Sequence, residues 1–278
     1  MIYVRADMKD LFAAERSVAD FLRIDGEVIK HVVRTRRTSR FRRGGRTFYM
    51  KTHWGIGWLE VIKNLAMFRL PVTGARNEFR AIRAVHEIGL DTMEIAAFGE
   101  DGINPATLKS FLITDAVENT VDLEHWLPER MRAQPAGTAH RPKRAAIRRV
   151  AELAAKLHAN GINHRDLYLC HLRLDVSAEN DIHTDRPKIY IMDLHRAQLR
   201  RATPRRWVVK DVAALLYSSL CAARVTLSRG DCLRFVEAYT GMPWRQALER
   251  QRTLWRRVLR RAARMCKKSG GPPPPLSA

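Results

Sequence analysis

The chain contains no run of eighteen uncharged apolar residues, and its opening stretch, MIYVRADMKDLF, has neither an apolar core nor a small-residue cleavage pattern. A membrane-spanning helix and a secretory signal are therefore not expected, and a cytosolic chain is. Cysteine is scarce. Cys170, Cys221, Cys232 and Cys266 are far apart and form no CxxC pair, which argues against a zinc site and a disulfide framework and leaves reduced thiols. Acidic residues are the other shortage: 29 Asp and Glu stand against 50 Lys and Arg, for a net charge of +21. Such a field draws in polyanions, anionic membrane surfaces or acidic proteins. No nucleic-acid partner is expected, because the basic stretch RTRRTSRFRRGGR (34–46) lacks the aromatic spacing of base-stacking modules.

The residues that are present fall into two regions of different period. Helical apolar spacing over 9–23 ends at Asp25-Gly26, after which β-branched and aromatic stretches run to Lys51, with a tight hairpin turn at Gly44-Gly45. Helices are predicted at 57–69 and 76–90, then strands at 93–99 and 110–117. That order suits a small α+β lobe over 1–115. Beyond it the pattern is mostly helical, defining a second region over 116–268. Helices are predicted at 122–132, from 144 to a closing glycine, at 208–223, at 231–239 and at 244–268, with one apolar strand at 188–194. The tail GGPPPPLSA lacks the means to pack, and 269–278 is expected to be disordered.

Phosphoryl transfer requires a carboxylate at the acceptor hydroxyl, another to hold a metal on the phosphates, a lysine for the phosphate oxygens and an acid to fix that lysine. The chain offers one candidate for each. Lys51 ends the strand FYMK, Glu78 opens the next helix, Asp166 stands in HRD and Asp193 ends YIMDL. Each signal is weak alone, since a strand-end lysine is usually a solvated cation and a helix-opening glutamate usually complements the dipole. Their joint order is what points to a phosphotransferase.

The strings LHANGINHRDLYLCHLRLD, IMDLHRAQLR, LPVTGARNEFRAI and GLDTMEIAAFGEDGINP resemble the lipopolysaccharide core heptose(I) kinase family, a branch of the protein-kinase-like superfamily, from about Gly26 to Pro243. The resemblance implies an α+β, bilobal protein-kinase-like fold, with a small antiparallel-sheet N-lobe carrying one main helix and a mostly helical C-lobe. It implies ATP and magnesium as cofactors and phosphorylation of the first inner-core heptose at its 4-hydroxyl. By position, Asp166 would be the catalytic carboxylate, Asp193 a magnesium ligand, Lys51 the phosphate-binding lysine and Glu78 its partner. Asp115 and Val117 would fall in the adenine-binding hinge.

Four departures from the wider kinase pattern stand out. His171 replaces the Asn five residues after Asp166, and an imidazole nitrogen is a poorer magnesium donor than oxygen. His195 takes the place of the Gly in DFG. The segment RTRRT (34–38), where the nucleotide-covering loop is expected, has no glycine to let backbone amides approach phosphate, so Arg36 or Arg37 would supply side-chain charge. The 27 residues from Asp166 to Asp193 are long, with AENDIHTD expected as a hairpin tip. Asp211 reads either as a buried acid bracing the HRD backbone or as an ordinary helix N-terminal acid. His164 and Arg165 read as structural.

The implied acceptor is an anionic glycolipid, the lipopolysaccharide core on lipid A, which places the chain peripherally on the inner face of the inner membrane. An acidic carrier protein is a further partner the basic surface could take. The 244–268 segment, with ten Lys or Arg against one Glu, reads as an amphipathic helix that either packs on the C-lobe or meets the lipid interface. The Trp54, Trp58, Ile62 stripe reads first as core and second as lipid or sugar contact. A protein Tyr or Ser kinase, and a pseudokinase scaffold, remain as alternatives.

Overall fold

A computed structural model describes residues 1–33, 35–66, 74–133, 140–177 and 186–275. They form two compact units: Met1–Ala84 with Met93–Glu118 and Leu194–Arg196, and Val85–Thr92 with Asn119–Asp193 and Ala197–Ala278. The 1–115 and 116–268 division drawn from sequence has a single boundary, whereas the chain passes between the units several times.

The first unit is built on an antiparallel six-stranded sheet. Its strands are β1 (Ile2–Val4), β2 (Glu27–Val33), β3 (Arg36–Arg43), β4 (Arg46–Trp54), β5 (Ile95–Asp101) and β6 (Lys109–Asp115), in the order β1-β5-β6-β4-β3-β2. Gly44 and Gly45 turn β3 into β4 with φ of 55° and 76°, values that glycine adopts without steric cost. Alternation along β4 buries Phe48 and Met50 on one face, where they join Met8, Phe12, Phe21, Phe111 and Ile113 in a core. Lys51 therefore points to the opposite face, the side on which α3 (Arg76–Glu87) packs through Phe79 stacked 4.3 Å from Phe98.

Several expectations are corrected in this unit. The 9–23 helix contracts to α1 (Val18–Leu22), because Ser17 and Asp20 form a capping box that starts a new helix there; Met8 and Phe12 enter the core from a turn-rich segment. The glycine-free loop expected at 34–38 is mostly strand: Arg36, Arg37 and Thr38 pair with His53, Thr52 and Lys51. Arg34 lies outside the described residues, as does AENDIHTD. The stripe expected to be core lies on and just before α2 (Gly57–Ala66) and is exposed, with Trp54 at 44%, Trp58 at 56%, Leu59 at 87% and Ile62 at 59%.

The second unit contains β7 (Thr120–Asp122), α4 (Leu123–Ala133), α5 (His140–Ala159), β8 (Ile162–Asn163), β9 (Leu172–Asp175), β10 (Ile189–Ile191), β11 (Gln198–Leu199), α6 (Arg205–Tyr217), α7 (Arg229–Thr240), α8 (Trp244–Arg250) and α9 (Arg252–Lys268). Two small sheets, β10-β9-β7 and β11-β8, frame the loops of interest. The helix expected over 244–268 is two helices, broken at Gln251 with φ −118° and ψ 25°. The apolar face of α9 (Trp255, Val258, Ala262) packs against Val208, Val209 and Val212 of α6, while Arg256, Arg257, Arg260 and Arg264 are exposed. The tail expected to be disordered is anchored as far as Pro275: the Gly271 amide donates to Cys266 O at 2.9 Å, and Pro274 is buried. Among the described residues no helix is long and apolar enough to cross a membrane.

Candidate active site

The first unit brings Lys51 and Glu78 together. The Lys51 Nζ lies 2.7 Å from Glu78 Oε1, with the carboxylate side chain only 2% exposed and the lysine 25%. A glutamate this deep needs a cationic partner, so the pair fixes a flexible ammonium at one point. His53, two residues on along β4, adds no charge beside it, because burial, helped by Arg36 and Lys51, pushes its imidazole down to about 3. The Asp115 carboxylate takes Arg5 at 2.8 Å and Arg46 at 3.0 Å.

In the second unit the loop 164–171 and residues 192–193 are assembled by main-chain bonds. Asp211 on α6 is fully buried, and its carboxylate accepts from the amides of His164 at 2.7 Å and Arg165 at 2.9 Å. Of the two readings of Asp211, the bracing acid is the one observed. His158 Nε2 reaches the same carboxylate at 3.4 Å and its Nδ1 meets the Tyr239 hydroxyl at 2.8 Å, a network that sequence periodicity did not reveal. His164 is buried, its Nε2 sits 2.9 Å from Met192 O, and burial holds its imidazole below the usual range, so the neutral ring supports the loop.

His171 joins the two aspartates. Its Nδ1 stands 2.7 Å from Asp166 O, a carbonyl that can only accept, so in the neutral ring the proton is on Nδ1. Its Nε2 lone pair then faces Asp193 Oδ2 at 3.6 Å. A lone pair opposed to a carboxylate repels it unless a cation lies between them. Adjacent ligands of an octahedral magnesium at about 2.1 Å stand roughly 3.0 Å apart, so this 3.6 Å pair would close slightly to hold one whose other positions go to water and phosphate oxygens. Among the described residues no group of three or more His, Cys, Asp or Glu could hold a metal ion. Asp193 and Arg165 adopt left-handed φ values of 57° and 74°, so the conformational freedom missed at His195 is not required there: His195 lies in a 3-10 turn, Leu194–Arg196.

Gly161 precedes this loop with φ 74°, and a Cβ placed on it would collide with Arg200 O, the main chain that β11 pairs against β8. Gly161→Ala is expected to lower stability by about 3 kcal/mol or more. Gly241→Ala, with φ 66° but nothing within 4 Å, should cost only the torsional part, about 1 kcal/mol. Urea denaturation of the two variants checks the difference; equal losses would remove the collision from the account.

An antiparallel sheet with a helix-fixed lysine, and a helical unit in which one histidine links the main chain of the HRD aspartate to the aspartate after β10, define a protein-kinase-like phosphotransferase. Residues 19–239 match the lipopolysaccharide kinase (Kdo/WaaP) family, and the chain belongs to that family. Its relatives include the lipopolysaccharide core heptose(I) kinase WaaP of Escherichia coli K12, 38% identical over 91% of this chain and 92% of that protein. The enzyme of the same name from Pseudomonas aeruginosa is 42% identical over 83% of each chain. Among solved structures, WaaP in complex with acyl carrier protein superposes with a TM-score of 0.77 at 34% identity, covering 95% of this chain and 99% of that one. The α+β kinase-like fold expected from sequence is thus borne out. Membership of a kinase family implies the use of ATP.

Proposed function

We propose that the chain transfers the γ-phosphoryl group of ATP to the first heptose of the lipopolysaccharide inner core, at its 4-hydroxyl. The observation that carries this reading is the linking, through the one imidazole of His171, of the Asp166 main-chain carbonyl to the Asp193 carboxylate; the heptose comes from the names of the relatives. Asp166 orients the sugar hydroxyl and accepts its proton as the oxygen attacks phosphorus. Lys51, fixed by Glu78, holds phosphate oxygens, and the main chain of Asp115 and Val117 serves the adenine. Asp193 and His171 would hold magnesium, which when bound neutralises charge on the phosphates. The positioning of these groups, without covalent chemistry by the protein, supplies most of the rate.

The same reading covers the partners. The exposed arginines of α9 would draw the chain to an anionic leaflet, each contributing about 1 kcal/mol near the surface. An acidic carrier protein would meet the same positive field. An apolar cavity of about 110 Å³ in the second unit, walled by Leu127, Ile147, Val150, Leu215, Phe235 and Val258, suits the acyl chain such a carrier bears.

The test gives purified protein and magnesium-ATP a dephosphorylated core glycolipid or a peptide pool. Transfer to glycolipid alone is expected. Transfer to peptides alone would replace this reading with a protein kinase, and no transfer to either would leave a scaffold.

A further inference from the structure

From Leu194 to Lys210 the chain has no acidic residue but holds Arg196, Arg200, Arg201, Arg205, Arg206 and Lys210. Four cations of the second unit gather on one indole. The guanidinium carbons of Arg165, Arg206 and Arg200 lie 5.1, 5.6 and 5.9 Å from the Trp207 ring centre, and Lys210 Nζ lies 5.8 Å from it. An indole face attracts one cation, but four inside a sphere of under 6 Å radius repel one another. Arg205 and Arg206 open α6, whose first turn has no acid, against the preference of a helix N-terminus for negative charge. So dense a gathering of positive charge at a helix start is a ready place for an anion.

The cluster adjoins the reacting centre. Lys210 Nζ is 3.6 Å from Asp166 Oδ1, and Arg165 is the residue before Asp166. Arg200 is held by Asn163 Oδ1 at 2.7 Å and Gln198 Oε1 at 2.8 Å, neutral acceptors that orient a guanidinium without cancelling its charge. Arg206 is exposed.

We propose that Arg165, Arg200, Arg206 and Lys210, gathered around Trp207 beside Asp166, form an acceptor subsite that takes an oxyanion, carboxylate or phosphate, carried on the saccharide next to the reacting sugar. This rests on the proposed kinase reading and deepens it. An oxyanion docked there places a neighbouring hydroxyl at Asp166, and a forked guanidinium recognises carboxylate and phosphate alike.

Calorimetry with the delipidated, dephosphorylated-heptose core oligosaccharide reads binding without turnover. Arg206→Gln and Lys210→Met are each expected to weaken binding about ten- to a hundredfold, the range for a lost hydrogen bond to a charged group. Arg206→Lys should recover part of the loss, while thermal melts and the KM for ATP stay at the wild-type values. Two further oligosaccharides, one carboxyl-reduced and one stripped of its remaining phosphates, identify the oxyanion, because the variants should match wild type on the ligand that lacks it. Unchanged binding in both variants would overturn the subsite. So would an equal loss on both modified ligands, or a loss that tracks a lowered melt and is not recovered by Arg206→Lys. If the wild type binds and the variants do not, yet no protein transfers phosphate, the kinase reading fails and the subsite stands.

Discussion

Asp166→Asn is expected to lower phosphate transfer by about 100- to 10,000-fold while nucleotide binding and the thermal melt stay near wild type. Removing a positioned carboxylate costs a factor of this size when it orients the attacking hydroxyl and takes its proton. The fold should be indifferent, because Asp166 is held by its main chain: its carbonyl meets His171 Nδ1 at 2.7 Å and its amide donates to His164 Nδ1 at 3.3 Å. Asparagine keeps both bonds and nearly the same volume. Single-turnover transfer measured beside equilibrium ATP binding checks the split. Retained turnover, or turnover lost together with ATP binding, would show that Asp166 does not have the role proposed for it.

The second large effect is structural. Asp211→Ala should destabilise the protein by about 3 to 5 kcal/mol, because the amides of His164 and Arg165 lose the fully buried carboxylate that accepts from both. Asp211→Asn keeps an acceptor oxygen for one amide but turns an NH₂ group toward the other, so an intermediate loss is expected. Chemical denaturation of the two variants and the wild type gives the order. An alanine variant as stable as wild type would mean that the loop is braced elsewhere.

The candidate site was legible where chemistry fixes residue type and order, as at Lys51, Glu78, Asp166 and Asp193, since phosphoryl transfer leaves few other choices. Their local setting was less so. Asp211 could not be separated from a helix-opening acid because its partners are backbone amides 46 and 47 residues away, and main-chain donors carry no residue signature. The His158–Tyr239 contact and the pairing of β1 with β5 are invisible for the same reason: periodicity reports a face, not what lies against it. The helix expected over 9–23 failed because apolar spacing was weighed above the capping box at Ser17. The Trp58, Leu59, Ile62 face shows the converse, an apolar stripe that the described residues do not bury. The Trp207 cluster was missed because Arg165 and Arg200 join Arg206 and Lys210 of α6 there only once the chain has folded β11 against β8.

The clamp at Asp211 grips peptide groups, so it is blind to the side chains it secures. Selection can therefore exchange the side chain at 165, and with it a preference for one acceptor over another, without loosening the clamped segment, provided the new residue tolerates a left-handed backbone. The neighbouring His164 has no such freedom, because its buried ring is bonded to Met192 O.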